Sequence, residues 1–253
     1  MKQIVLMYHD VFVSDVKESG FQTPGAMPYK VSANNFETHV KTIYKYCKEN
    51  DVDTSSIVFT FDDGGVSFAT IIPKVLEMYG FKGIFFVSTH YIGKERFLTE
   101  NQIRDLVSRG HEIGAHSHTH PGYNEAAKMN SAQLRYEWQT SINLLSTIID
   151  NKIESVSLPN GYNSDHLLEI LEDMGINRIY TSTPTTRITK RRHSTLIGRY
   201  DIQNCMSLKQ VMSIVNNPMA RIKFQLKCDV LSLLKFILGD SYSNVKRVLL
   251  SKR

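Results

Sequence analysis

Three histidines stand within five positions, at His116, His118 and His120, and they are a third of the nine histidines in the chain. Imidazole nitrogens are good ligands for zinc and similar divalent ions. His116 and His120 are four residues apart, so one helical turn or a tight loop would bring both rings to one side. In such a turn His118 points away, whereas in an extended run it would share the face of the other two histidines. The alternative is a polar loop with incidental histidines, but the clustering favours a metal site.

Two adjacent carboxylates, Asp62 and Asp63, follow an apolar run in the stretch TFDDG. A carboxylate is costly to bury unpaired. Neighbouring side chains of a strand point in different directions, so one carboxylate could bind a metal while the other acts as a base. The alternative is an ordinary polar turn, because Asp-Gly is a common turn pair. One Asp and two His would form a three-ligand site with open positions, which is typical of a catalytic metal.

Two kinds of segment alternate along the chain and would position these residues. Short runs rich in β-branched and aromatic residues predict seven strands, at 4–10, 56–63, 83–89, 112–117, 155–160, 178–182 and 196–202. Amphipathic segments of helical length lie between them, at 32–50, 68–80, 99–110, 131–150 (with Ser131 as the expected N-cap) and 164–175.

This alternation predicts an α/β fold, a distorted (β/α) barrel of about seven parallel strands, with an open doubly wound sheet as the alternative. No GxGxxG follows the first strand, so the fingerprint of a dinucleotide site is absent. In a parallel barrel the carboxyl ends of all strands share one face. Polar residues stand at those ends, so we expect them to meet there; they include His9, Asp62, His116, Asn160 and Arg199.

The opening VLMYHDV, the TFDDG motif and the HSHTHP motif together resemble the polysaccharide deacetylases, the family-four carbohydrate esterases with a chitooligosaccharide-deacetylase domain. The resemblance covers most of residues 1–202. It implies a distorted barrel that removes N-acetyl, or sometimes O-acetyl, groups from sugars in polysaccharides. It also implies that Asp63, His116 and His120 bind a divalent metal, zinc first with cobalt or nickel as alternatives, and that Asp62 is the general base.

The third motif of the family is altered in SLPNGYN. Pro159 and Gly161 match, and the backbone N–H of Asn160 between them is the candidate donor to the oxyanion. The family has an arginine two residues before the proline that orients the catalytic aspartate, whereas this chain has Ser157. We expect Arg199, at the end of the last strand, to supply the missing cation. The alternative for Arg199 is a surface ion pair.

The general acid is the second departure from the family. Its fifth motif ends in a histidine, but LIGRYDI contains none, and its fourth motif, an Asp near a Trp, is not visible. The single tryptophan, Trp138, is expected in the core. His9, at the end of the first strand, is the candidate acid or substrate contact, and some branches of the family share the YHD opening. The alternative is a structural histidine bonded to Asp10 or to a backbone carbonyl.

Charge divides the chain into a body and a tail. Residues 219–253 hold eight Lys/Arg and two Asp, a net charge of +6, whereas the remainder carries −1 of the total +5. We therefore predict a catalytic barrel over 1–218 and a basic amphipathic helical extension over 219–253, where Leu226, Val230 and Leu233 recur at helical spacing. The extension would either close the barrel or contact an anionic membrane peripherally. The neutral body argues against nucleic acid as a partner.

The leading functional hypothesis is a metal-dependent hydrolase that removes acetyl groups from an acetylated oligo- or polysaccharide, in bacterial glycan assembly or modification. The alternatives are a hydrolase of small cyclic or linear amides on the same scaffold and a degenerate glycan-binding relative. Three scattered cysteines without CxxC spacing predict neither a disulfide framework nor a thiolate zinc site. No signal peptide or transmembrane run is recognised, so a cytoplasmic location is expected.

Overall fold

A computed structural model describes residues 3–238, with only the backbone described for Lys227 and for residues 231–238. The strands are β1 Ile4–Tyr8, β2 Val11–Phe12, β3 Val31–Ser32, β4 Ile57–Phe61, β5 Gly83–Val87, β6 Glu112–Ala115, β7 Ser155–Ser157, β8 Arg178–Tyr180, β9 Ile188–Lys190, β10 Thr195–Ile197 and β11 Tyr200–Asp201. The helices are α1 Ala33–Glu49, α2 Ser67–Thr70, α3 Ile72–Met78, α4 Glu100–Ser108, α5 Tyr123–Ala126, α6 Ser131–Ile149, α7 Asp165–Asp173, α8 Leu208–Asn216 and α9 Pro218–Leu238.

The main sheet is curled and mostly parallel, in the order β11-β1-β4-β5-β6-β7-β8-β10-β9 over the described residues. Each of the seven predicted strands is present, which confirms the α/β fold and the distorted barrel. β9 was not predicted, because its ITK sequence is exposed and lacks an apolar run; it pairs antiparallel with β10. β2 and β3 form a separate parallel pair.

The last predicted strand, 196–202, is divided into two. β10 pairs with β8, and β11 pairs with β1, so one continuous segment joins the two ends of the curled sheet. Gly198 and Arg199 lie at the division. A Cβ on Gly198 would come within 2.5 Å of the carbonyl oxygen of Thr183, so the two backbones can approach this closely only where there is no side chain. The N–H of Arg199 then donates to the same carbonyl at 2.9 Å.

Two of the predicted helices differ in detail from the structure. The segment 68–80 forms α2 and α3 instead of one helix, because Pro73 has no N–H for a continuous helix and lies instead in the first turn of the second one. The N-cap of α6 is Asn130 and not Ser131, since the Asn130 side chain accepts the N–H of Gln133. None of the described helices has both the length and the apolar character to cross a bilayer.

The core holds the strand ends in place from both sides of the sheet. β1 is buried along its whole length, and Tyr8 packs among Phe36, Phe59 and Phe61 beneath the helices. On the opposite face, Val5 belongs to a smaller cluster inside the curl of the sheet. Because strand side chains alternate, the residues on the same face as Val5 line the inside of the curled sheet up to the carboxyl ends of the strands. Trp138 is buried in α6, as expected.

Candidate metal centre

A cleft of about 790 Å³ opens at the carboxyl ends of the strands. Six of the seven predicted site residues line it, namely His9, Asp62, Asp63, His116, His120 and Asn160. The seventh, Arg199, does not line the cleft; it is fully buried behind Asp62. Residues from four different strand ends therefore meet in one place, as a parallel barrel predicts.

Asp63, His116 and His120 form a group that could hold a metal ion, with ligand atoms all within 4.8 Å of one another. Asp63 Oδ1 lies 3.4 Å from His116 Nε2 and 3.3 Å from His120 Nε2. His116 Nδ1 is 2.8 Å from the carbonyl oxygen of Ser157. Because a carbonyl can only accept, Nδ1 carries the proton and Nε2 presents its lone pair to the group. One carboxylate oxygen and two imidazole nitrogens fit a borderline divalent cation.

The backbone that carries these three residues turns sharply after β4 and β6. Asp63, Ser117 and His120 all have positive φ values, of 91°, 61° and 59°. Non-glycine residues in this region each cost about 1–3 kcal/mol, and such residues concentrate at functional sites. His118 is directed away from the group, and its Nδ1 lies 2.8 Å from Thr89 Oγ1. The structure therefore places His118 outside the group formed by Asp63, His116 and His120.

Asp62 is held by a buried arginine. Arg199 donates from Nη1 to Asp62 Oδ1 and from Nη2 to Oδ2, both at 2.7 Å, in a bidentate pair. Its Nε donates to the carbonyl of Thr181, and Nη1 also reaches Thr60 Oγ1. Burial is the largest single influence and acts to raise the pKa of Asp62, but the charge of Arg199, the charge of His116 and the hydrogen bonds from Arg199 together outweigh it and lower the pKa to about 2. The surface ion pair considered for Arg199 is excluded by its burial.

Ser157 contacts both the Asp62–Arg199 pair and His116. Its hydroxyl accepts from Arg199 Nη2 at 2.7 Å and donates its proton to Asp62 Oδ2 at 2.9 Å. Its carbonyl oxygen is the acceptor that sets the tautomer of His116. The sequence indicated Ser157 only as the position of a missing arginine. A small polar side chain there leaves room for the guanidinium of Arg199, and that was the available signal.

His9 lies beside the carboxylates with an unused nitrogen. Its Nδ1 is buried and has no hydrogen-bond partner among residues 3–238. Its ring packs on Tyr29, with centroids 4.6 Å apart. Burial lowers the pKa of His9, and the charges of Asp63 and Asp62 offset the effect only in part. Asp10 instead accepts from Ser19 and Ser67, so the structural alternative of a bond to Asp10 is not observed.

Asn160 lines the same cleft from a strained turn, with φ 54°. Its side-chain amide donates to the carbonyl of Pro121 at 3.0 Å. Its backbone N–H makes no hydrogen bond within the described part of the chain. This N–H is therefore available to a ligand in the cleft. Three aromatic residues of the cleft, Phe21, Tyr29 and Tyr91, were not anticipated, since they come from a loop and two short 3-10 helices without periodicity.

Comparisons with known proteins point to one family. The family model described as polysaccharide deacetylase matches residues 49–179. The Bacillus subtilis protein YxkH, which carries the family's name, is 23% identical over 71% of this chain and 64% of its own length. A peptidoglycan-N-acetylglucosamine deacetylase of Bacillus cereus is 25% identical over 44% of this chain and 42% of its own length. This chain thus spans less than two thirds of either relative.

The fold is shared with solved structures as well. BC0361, a polysaccharide deacetylase from Bacillus cereus, superposes with a TM-score of 0.69 at 20% identity, over 85% of this chain and 69% of that one. At that identity the likeness concerns the fold alone. The family match covers more than half of the chain and includes Asp62, Asp63, His116 and His120. The chain therefore belongs to the polysaccharide deacetylase family.

Proposed function

We propose that this protein is a metal-dependent deacetylase that removes an N-acetyl group from a sugar in a polysaccharide or a glycan precursor. The observation that carries the proposal is the pairing of two differently held carboxylates. Asp63 faces two imidazole nitrogens, whereas Asp62, the next residue, is bound to Arg199 and Ser157. The name of the Bacillus cereus relative supports an N-acetylated sugar.

Asp63, His116 and His120 would hold the divalent ion, with zinc as the first choice and cobalt or nickel as alternatives. A bound ion supplies Lewis-acid polarisation of the amide carbonyl and lowers the pKa of the attacking water. The hydrogen bond from His116 Nδ1 to the carbonyl oxygen of Ser157 keeps the lone pair of Nε2 free to bind the ion.

Asp62 is the proposed general base, and its anchoring leaves it one free acceptor position. A carboxylate offers about four lone-pair positions. Arg199 and Ser157 use three of them, one on Oδ1 and two on Oδ2. The remaining lone pair on Oδ1 can accept a proton from the attacking water. With its pKa lowered to about 2, Asp62 stays ionised at neutral pH.

Two groups are proposed to act on the other side of the amide. The free N–H of Asn160 would donate to the oxyanion that develops on the carbonyl oxygen. His9 would protonate the departing amine or contact the substrate. These two roles for His9 differ in kinetics, because loss of an acid lowers kcat, whereas loss of a binding contact raises KM.

The two alternative functions find less support. A small amide needs only a pocket near the lower end of the range for ligand sites, about 300 Å³, and the cleft is larger than this, which favours an oligosaccharide. A degenerate glycan-binding relative has no need of a buried, arginine-bound carboxylate beside a metal group. Such a pair is costly to bury and is expected where chemistry uses it.

The test combines metal analysis with acetate release. The full chain should bind one equivalent of zinc or cobalt and release acetate from N-acetylated chito-oligosaccharides, and a chelator should abolish the release. His120→Ala should lose metal, whereas His118→Ala, a matched change in the same loop, should keep both metal and activity. Asp62→Asn should keep metal and lose turnover. Full activity in Asp62→Asn, or in the metal-free protein, contradicts the proposal.

A further inference from the structure

The helix α9 packs against the barrel through one side only. Phe224 contacts Tyr200 of β11, with ring centroids 6.0 Å apart. Arg221 donates to the carbonyl oxygens of Ile214 and Val215, where α8 ends. Cys228, further along the same side, lines the catalytic cleft. This side holds the helix on the body of the protein.

The other side of α9 carries an apolar ridge of four residues that faces solvent. Met219, Ile222, Leu226 and Val230 are 60%, 50%, 57% and 56% exposed. At 100° per residue they fall within roughly 80° of the helix circumference, about opposite Phe224 and Cys228. Four large apolar side chains on one exposed stripe indicate an interaction surface, because exposed apolar residues are otherwise scattered singly.

The charge around the ridge identifies the partner. Lys223 is exposed along one edge of the ridge, and Asp229 is exposed along the other edge. The range of α9, residues 218–238, carries four Lys/Arg and one Asp, a net charge of +3, whereas residues 1–217 carry −1. A nucleic acid would not need the apolar ridge, and a neutral protein groove would not need the lysines. An anionic lipid surface requires both, apolar side chains for the acyl boundary and cations for the headgroups.

We propose that the ridge of α9 docks this protein on an anionic membrane surface. The helix would lie in the plane of the interface, with Met219, Ile222, Leu226 and Val230 inserted between lipids. The barrel would remain on the aqueous side, held by Phe224 and Arg221. This inference does not depend on the proposed chemistry, because it concerns only the surface of α9. Residues 239–253 lie outside the described residues and are not needed for it.

The experiment uses the full chain and vesicle flotation. The protein should float with phosphatidylcholine vesicles that contain phosphatidylglycerol, should float less with pure phosphatidylcholine, and should lose binding as salt is raised. The double variant Leu226→Asp/Val230→Asp should weaken binding at least about tenfold. Lys223→Glu should weaken it and reduce the dependence on salt.

The matched control is Tyr136→Asp, a change at a residue on α6 that is 71% exposed. It should bind like the wild type, and thermal unfolding should show that every variant is folded. Two results overturn the proposal. One is a wild-type protein that floats with neither type of vesicle. The other is a wild-type dimer that the double variant converts to a monomer, since the ridge would then be an interface between copies.

Discussion

Replacing Arg199 by Met tests the arrangement around Asp62 most directly. Arg199 is fully buried, and its guanidinium donates five hydrogen bonds, two to the carboxylate of Asp62 and the others to Thr181, Thr60 and Ser157. Met is unbranched and flexible enough to fill most of the space, so loss of the charge dominates the change. Among the described residues, Ser157 would be the one hydrogen-bond donor left to Asp62.

The expected loss of unfolding free energy is about 3–5 kcal/mol, the cost of leaving one partner of a buried ion pair uncompensated. For a chain of this size that corresponds to a fall in Tm of roughly 6–20 °C. The sign depends on pH. Because the folded pKa of Asp62 is lowered to about 2, its pairing stabilises the fold above the unfolded pKa and ceases to do so as pH falls through the folded value. The difference between variant and wild type should therefore be largest near neutral pH and shrink towards pH 2.

Activity should respond separately from stability. Without Arg199, burial raises the pKa of Asp62, so an acidic limb should appear in the pH profile of acetate release. The double variant Arg199→Met/Asp62→Asn removes both charges and should recover most of the lost Tm while staying inactive. The reasoning is refuted if Arg199→Met keeps the wild-type Tm, turnover and pH profile.

Three further changes have defined outcomes. His9→Gln should lower kcat about 10²- to 10⁴-fold with metal content intact if the imidazole is the acid; unchanged turnover would reject any role in catalysis. His39 is buried against Tyr8, and burial lowers its pKa to about 4, so charging it opposes folding. Relative to His39→Phe, the wild type should lose roughly 2–3 kcal/mol of unfolding free energy between pH 7 and pH 4.5. Urea titrations that give the same difference in unfolding free energy between the two proteins at both pH values would contradict this. A Cβ at Gly65 would lie 1.8 Å from Asp10 Oδ1, so Gly65→Ala should lower the free energy of unfolding by about 1–3 kcal/mol. The control Gly25→Ala should be nearly neutral, because its Cβ would meet only Thr23 Oγ1, at 3.9 Å. Equal urea midpoints for the two variants would show that the loop around Gly65 moves to admit the methyl group.

Much of the fold was predictable because it follows from hydrophobic pattern. β1 and β4 are apolar, short and rich in branched or aromatic residues, and α4 begins at a Thr99 capping box and ends near Gly110. These are local signals, and they agree with the tertiary structure. By contrast, α5 is a single turn of four residues, and β9 is exposed and polar, so neither has a periodic signal that a sequence could reveal.

The candidate site was predictable by residue type but not in its detailed geometry. The adjacent aspartates and the histidines at spacing four predicted a metal site with a neighbouring base. The positive φ of Asp63 and His120 could not be foreseen, because these residues usually avoid that region and surrounding contacts must hold them there. The double role of Ser157 also depends on which atoms lie opposite it across two strands, and no local pattern carries that information.

The position of Arg199 has a consequence for how the barrel is completed. The family match ends at residue 179, so it includes Asp62 but not Arg199. Arg199 arrives with the segment whose two halves pair with β8 and β1. The same segment therefore joins the ends of the sheet and supplies the positive charge that compensates Asp62. The ion pair acts as a latch, since opening the sheet at this seam would strand a buried carboxylate without its counter-charge.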